Sequence, residues 1–80
     1  MEIEKIVCEE MAELTGLSVE ELEGLREEDL FESGILDSLS LMTLLTALQT
    51  RLGITLSLKD HSVRDFSTVV RIAEVVAQAK

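Results

Sequence analysis

Apolar residues recur at helical spacing along most of this 80-residue chain, and period-2 alternation is nearly absent. Ile3, Ile6, Val7, Met11 and Leu14 trace one side of a helix over about residues 2–15, with Glu2, Glu9, Glu10 and Glu13 on other faces. Thr15-Gly16 closes it, since glycine accepts the left-handed conformation that ends helices. Ser18 followed three residues later by Glu21 reads as a capping box and predicts a short turn over 19–24. Leu41, Leu44, Leu45, Leu48 and Leu52 then form a single stripe, which predicts a core helix over about 38–52 stopping at Gly53. Ser67 or Thr68 caps a last helix whose expected buried side is Val69, Val70, Ile72, Ala73, Val76 and Ala77.

Two connections remain. Residues 24–37 hold Leu25, Leu30, Phe31, Ile35 and Leu36, too many apolar groups for a solvated linker. The stretch is therefore expected to be a loop pinned onto the helices, with Phe31 as its main anchor, worth about 1.5–3 kcal/mol on burial. Gly34 is expected to supply a positive φ there. Ile54, Leu56 and Leu58 alternate with Thr55 and Ser57, but no partner strand exists, so an extended connector is expected. A short helical turn is expected near Ser57–His61. The chain is too small for more than one domain, so residues 1–80 are read as a single all-α unit.

The formal net charge is −9, distributed unevenly. Residues 1–37 carry 13 acidic and 2 basic side chains, whereas residues 38–80 carry 3 acidic and 5 basic. Nucleic acid is excluded as a natural partner, because phosphate contacts need clustered Lys and Arg. The acidic half is either a steering surface for a basic enzyme or merely a solubilising one. Cys8 is the only cysteine, lies in an amphipathic stretch and is expected to be buried. No apolar run reaches membrane-spanning length and no signal pattern opens the chain, so a cytoplasmic protein is expected.

Candidate chemistry concentrates at Gly34-Ile35-Leu36-Asp37-Ser38-Leu39. Asp37 is a favoured N-cap residue, which puts Ser38 in the first turn of the leucine-rich helix. A phosphate ester on that hydroxyl would gain about 0.3–1 kcal/mol from the helix dipole. An ordinary capped helix begins with the same two residues, so the cap alone does not decide. Catalysis is poorly supported. His61 is the single histidine, and nothing in the sequence places it near Ser38 or Cys8. Leu36 stands where a nucleophile elbow needs glycine. One Cys and one His cannot supply a zinc site. Glu27, Glu28, Asp29 and Glu32 lack the glycine and alternating oxygens of a calcium loop. A serine without a base is better read as the substrate of a modifying enzyme than as a catalyst.

Phe31-Glu32-Ser33-Gly34-Ile35-Leu36-Asp37-Ser38-Leu39, then Leu44, Leu48, Leu52-Gly53-Ile54 and Phe66-Ser67-Thr68-Val69, resemble the acyl carrier protein family over essentially the whole chain. The resemblance implies a four-helix bundle with three main helices, one short third helix and a long loop after the first. It implies a carrier, not an enzyme, expected to be monomeric. By this analogy Ser38 is the attachment point for 4′-phosphopantetheine, Asp37 is the positioning aspartate, and Leu39 and Met42 touch partner enzymes. The implied partners are a phosphopantetheinyl transferase with coenzyme A, an acyl- or aminoacyl-adenylating ligase, and a downstream transferase or synthase.

The chain departs from the fatty acid carriers at the leucine-rich helix. Positions that are usually acidic read Ser40, Thr43, Gln49 and Thr50, followed by Arg51, with no acid after Asp37. The spacing of Gly34 to Ser38 looks more like D-alanyl, other aminoacyl or stand-alone polyketide carriers. The expected cargo is an acyl or aminoacyl thioester, with a helical interaction module lacking the arm as the alternative. A small hydrolase built on Ser38 is a third reading that lacks its base.

Overall fold

The structure, a computed structural model, describes residues 2–79. Four α-helices follow one another: α1 (Glu2–Thr15), α2 (Val19–Gly24), α3 (Ser38–Leu52) and α4 (Val69–Ala79). Two short 3-10 segments, Leu58–Asp60 and Val63–Phe66, lie between α3 and α4. No strand occurs among the described residues, and the architecture is the expected helical bundle.

The core follows the helical periodicity. Val7, Cys8 and Met11 of α1 meet Leu41, Leu44, Leu45 and Leu48 of α3, and Val69, Ile72, Ala73, Val75 and Val76 of α4 close it. The α4 pattern needs correction at three positions: Val75 is buried, Ala77 is exposed, and Val70, expected inside, is only partly buried. The larger branched residue takes the interior position, and alanine forfeits little by facing water.

The short turn expected over 19–24 forms. Its capping box is formed, with Glu21 N–H donating to Ser18 Oγ at 3.0 Å and Ser18 N–H donating to Glu21 Oε1 at 3.2 Å. The result is α2, a helix of six residues that buries Leu22 against α1.

Downstream, the anchors are Leu30 and Leu36, which are fully or almost fully buried; Phe31, expected as the main anchor, is only partly so. The backbone explains the choice. Leu30 N–H donates to the Ser67 carbonyl at 2.7 Å, and Val70 N–H donates to the Arg26 carbonyl at 3.2 Å, tying the loop to the start of α4. Leu36 N–H then closes on the Leu30 carbonyl at 3.0 Å. That closure passes through Gly34 at φ +80°, as its sequence position requires.

At the other end of α3, Gly53 adopts φ +65° and its N–H caps the Gln49 carbonyl. The following segment is extended as expected, held by Leu56 N–H donating to Gln49 Oε1 at 2.9 Å. The single short third helix expected here is instead the pair of 3-10 segments. At the second, Asp65 Oδ2 accepts the Ser62 N–H at 3.1 Å and Phe66 turns into the core. Thr68, not Ser67, caps α4, its Oγ1 accepting from Arg71 N–H at 3.0 Å.

Candidate functional site

The turn into α3 places the sequence-predicted residues together. Asp37 adopts extended backbone (φ −126°, ψ −176°) and its Oδ1 accepts the Ser40 N–H at 2.8 Å. The Ser40 N–H foremost, then the Ser40 hydroxyl, hold its carboxyl below the usual range. Ser38 is the first residue of α3 and is exposed, and its hydroxyl makes no hydrogen bond among the described residues. It stands where the helix dipole favours a negative charge.

Leu39 and Met42, three residues apart on one helix face, are 78% and 47% exposed. Water contact at two large apolar side chains beside Ser38 costs free energy that nothing within the described chain recovers. The face they begin stays uncharged. Thr43 Oγ1 donates to the Leu39 carbonyl at 3.1 Å and Thr46 Oγ1 to the Met42 carbonyl at 2.9 Å, so both hydroxyls are turned onto the helix backbone. Met42, Thr43, Thr46 and Ala47 border an open hollow. The only base of α3, Arg51, is drawn to α1, where it pairs with Glu9 at 2.6 Å and Glu10 at 2.9 Å.

Sequence reasoning missed two members of the site. A cavity of about 180 Å³ opens beside Ser38, lined also by Leu41, Met42, Val63, Phe66 and the polar pair His61 and Ser62. His61, which sequence spacing could not relate to Ser38, thus shares a cavity with it. Val63 is 57% exposed and adds an apolar lip opposite Met42. The signal for Val63 was present in the sequence as an apolar residue between Ser62 and Arg64, off the helical stripes. No signal marked His61, because its placement depends on how the 3-10 segments fold back. His61 and Ser38 are not hydrogen-bonded among the described residues, so no serine–histidine couple is formed. The described residues also hold no group of three or more His, Cys, Asp or Glu able to bind a metal. No described helix is long and apolar enough to cross a membrane.

A helical bundle that offers an exposed serine at a helix N-terminus, beside an apolar cavity, has the arrangement a carrier domain needs. The sequence matches the family described as the phosphopantetheine attachment site over residues 5–76, and the chain belongs to that family. It is 32% identical over 76 residues to the D-alanyl carrier protein of Lactobacillus delbrueckii subsp. bulgaricus, covering 95% of this chain and 91% of that one. The D-alanyl carrier proteins of Streptococcus uberis and Streptococcus thermophilus are 32% and 30% identical, over 78% and 80% of this chain. The cofactor of the family is covalently attached 4′-phosphopantetheine. The site fits that group: an accessible hydroxyl to esterify, a helix N-terminus for the phosphate and an apolar cavity alongside.

Proposed function

We propose that Ser38 carries the 4′-phosphopantetheine arm and that the chain shuttles an aminoacyl group, with D-alanine as the leading cargo, from an adenylating ligase to a downstream transferase or synthase. The observation that carries this reading is the exposed, uncommitted Ser38 hydroxyl at the start of α3. The D-alanyl carriers, matched over 78–95% of the chain, favour an aminoacyl over a fatty acyl cargo. Residues 1–80 act as one domain, as a monomer, in the cytoplasm where coenzyme A is supplied.

On the transferase, with magnesium, the Ser38 hydroxyl attacks the β-phosphorus of coenzyme A. The pyrophosphate P–O bond breaks, adenosine 3′,5′-bisphosphate leaves, and the serine proton passes to a base of the transferase. The arm supplies a terminal thiol that holds the cargo as a thioester. Asp37 fixes the helix start, so that Ser38 is presented in one orientation. Leu39, Met42 and Val63 form the apolar surface that partner enzymes cover.

Incubation with coenzyme A and a broad-specificity transferase should add one phosphopantetheinyl unit to the intact mass, and Ser38→Ala should abolish the gain. An unchanged wild-type mass would instead favour an interaction module with no arm. Presenting the loaded protein to ligases with panels of amino acids and fatty acids then reads the cargo. Exclusive charging with fatty or polyketide acyl groups would overturn the aminoacyl assignment.

A further inference from the structure

The cavity beside Ser38 contains a single titratable side chain. Among the described residues no Lys, Arg, Asp or Glu lines it; its polar edge is His61 with Ser62. The imidazole is held from two sides. Its Nδ1 lies 3.3 Å from Asp65 Oδ2, and an ionised carboxylate can only accept, so Nδ1 carries the proton. Asp65 is fixed in turn, because the same oxygen accepts the Ser62 N–H at 3.1 Å. The Phe66 ring meets the imidazole nearly edge-on, at 5.7 Å between centroids and 65° between planes. Nε2 is the nitrogen left over, with no hydrogen bond among the described residues.

We infer that His61 is the cation that faces the phosphodiester formed at Ser38, its Nε2–H directed to a phosphate oxygen across the shared cavity. The inference rests on Ser38 being the attachment point. A protonated imidazole donates from both nitrogens, so Nδ1 serves Asp65 while Nε2 serves the phosphate. The walls of Leu41, Met42, Val63 and Phe66 bring no charge of their own, so no side chain lining the cavity competes with the pair. Lys59 and Arg64 flank His61 along the chain, and neither lines the shared cavity. Asp65 lies on its own segment and Asp60 lines the hollow on its far side, where Val75, Gln78 and Ala79 of α4 bring none. On the α3 side, Asp37 precedes Ser38 and is engaged with Ser40.

The chain has one histidine and the loaded protein has one phosphorus atom, so phosphorus-31 NMR isolates the pair. A phosphodiester does not ionise between about pH 5 and 8, the interval in which a histidine changes charge. The expected result is a single-step displacement of the resonance in the wild type. It should vanish in His61→Gln. His61→Phe, which keeps an aromatic ring against Phe66, gives a second imidazole-free protein should the glutamine variant fold poorly. A flat wild-type resonance, or a displacement that survives both His61 substitutions, overturns the inference. Intact mass taken before each titration separates the two ideas. A wild type that gains no phosphopantetheinyl unit overturns both, whereas a loaded wild type with a flat resonance overturns only the role of His61.

Discussion

Asp37 and Met42 sit five residues apart, and their substitution should separate two kinds of loss. The Asp37 carboxyl ionises more readily in the folded chain because of its hydrogen bonds to Ser40. With the folded pKa below the unfolded one, its stabilisation is complete above the unfolded value and fades as pH falls through the folded one. Glu4, lowered chiefly by its hydrogen bond from Arg26, acts in the same direction. Acid titrations followed by circular dichroism should therefore show stability falling below about pH 4. Asp37→Asn, which keeps an acceptor for the cap, should flatten part of that slope; an unaltered slope would remove Asp37 from the account. Met42 is different, since half its surface already meets solvent. Met42→Glu should leave stability within about 0.5 kcal/mol yet lower the kcat/KM of charging by about tenfold, or about 1.4 kcal/mol. Melting without a kinetic change would reverse that assignment of faces.

Helices α1, α3 and α4 were legible because each follows one apolar stripe, and the α3 boundaries agree with Asp37 and Gly53. Between α1 and α3, the turn over 19–24 was legible from its capping box, but residues 24–37 only as a pinned loop. Which residue pins it depends on a backbone pairing of Leu30 with Ser67, and residues 37 positions apart leave no periodic trace. Size favoured Phe31, but the hydrogen bonds select Leu30. Leu30→Ala should accordingly cost about 2–5 kcal/mol in denaturant unfolding, clearly more than Phe31→Ala. Equal losses would restore the aromatic side chain as anchor. The turn expected near Ser57–His61 is the first 3-10 segment, but the second left no signal, because a four-residue segment is too short to display a period. At the end of α3, a Cβ added to Gly53 would meet nothing within 4 Å, so the cost of Gly53→Ala lies in its φ of +65°. Thermal melting should record about 1–2 kcal/mol.

Across the whole molecule, the 13 carboxylates before Ser38 leave a strong imbalance that Arg26 and Arg51 relieve locally. Added salt screens self-repulsion more than it weakens these exposed pairs. The melting temperature should rise between low and physiological ionic strength; a fall would make the ion pairs the dominant electrostatic contribution. The sulfur chemistry follows from packing as well. Cys8 is sealed in the core, and burial first, then the charges of Glu23 and Glu4, push its thiol up. A maleimide at neutral pH should therefore ignore the folded, unloaded chain and label it only after denaturation. Once the prosthetic group is in place, the same reagent becomes a one-to-one counter of its uncharged terminus, with no internal background to subtract.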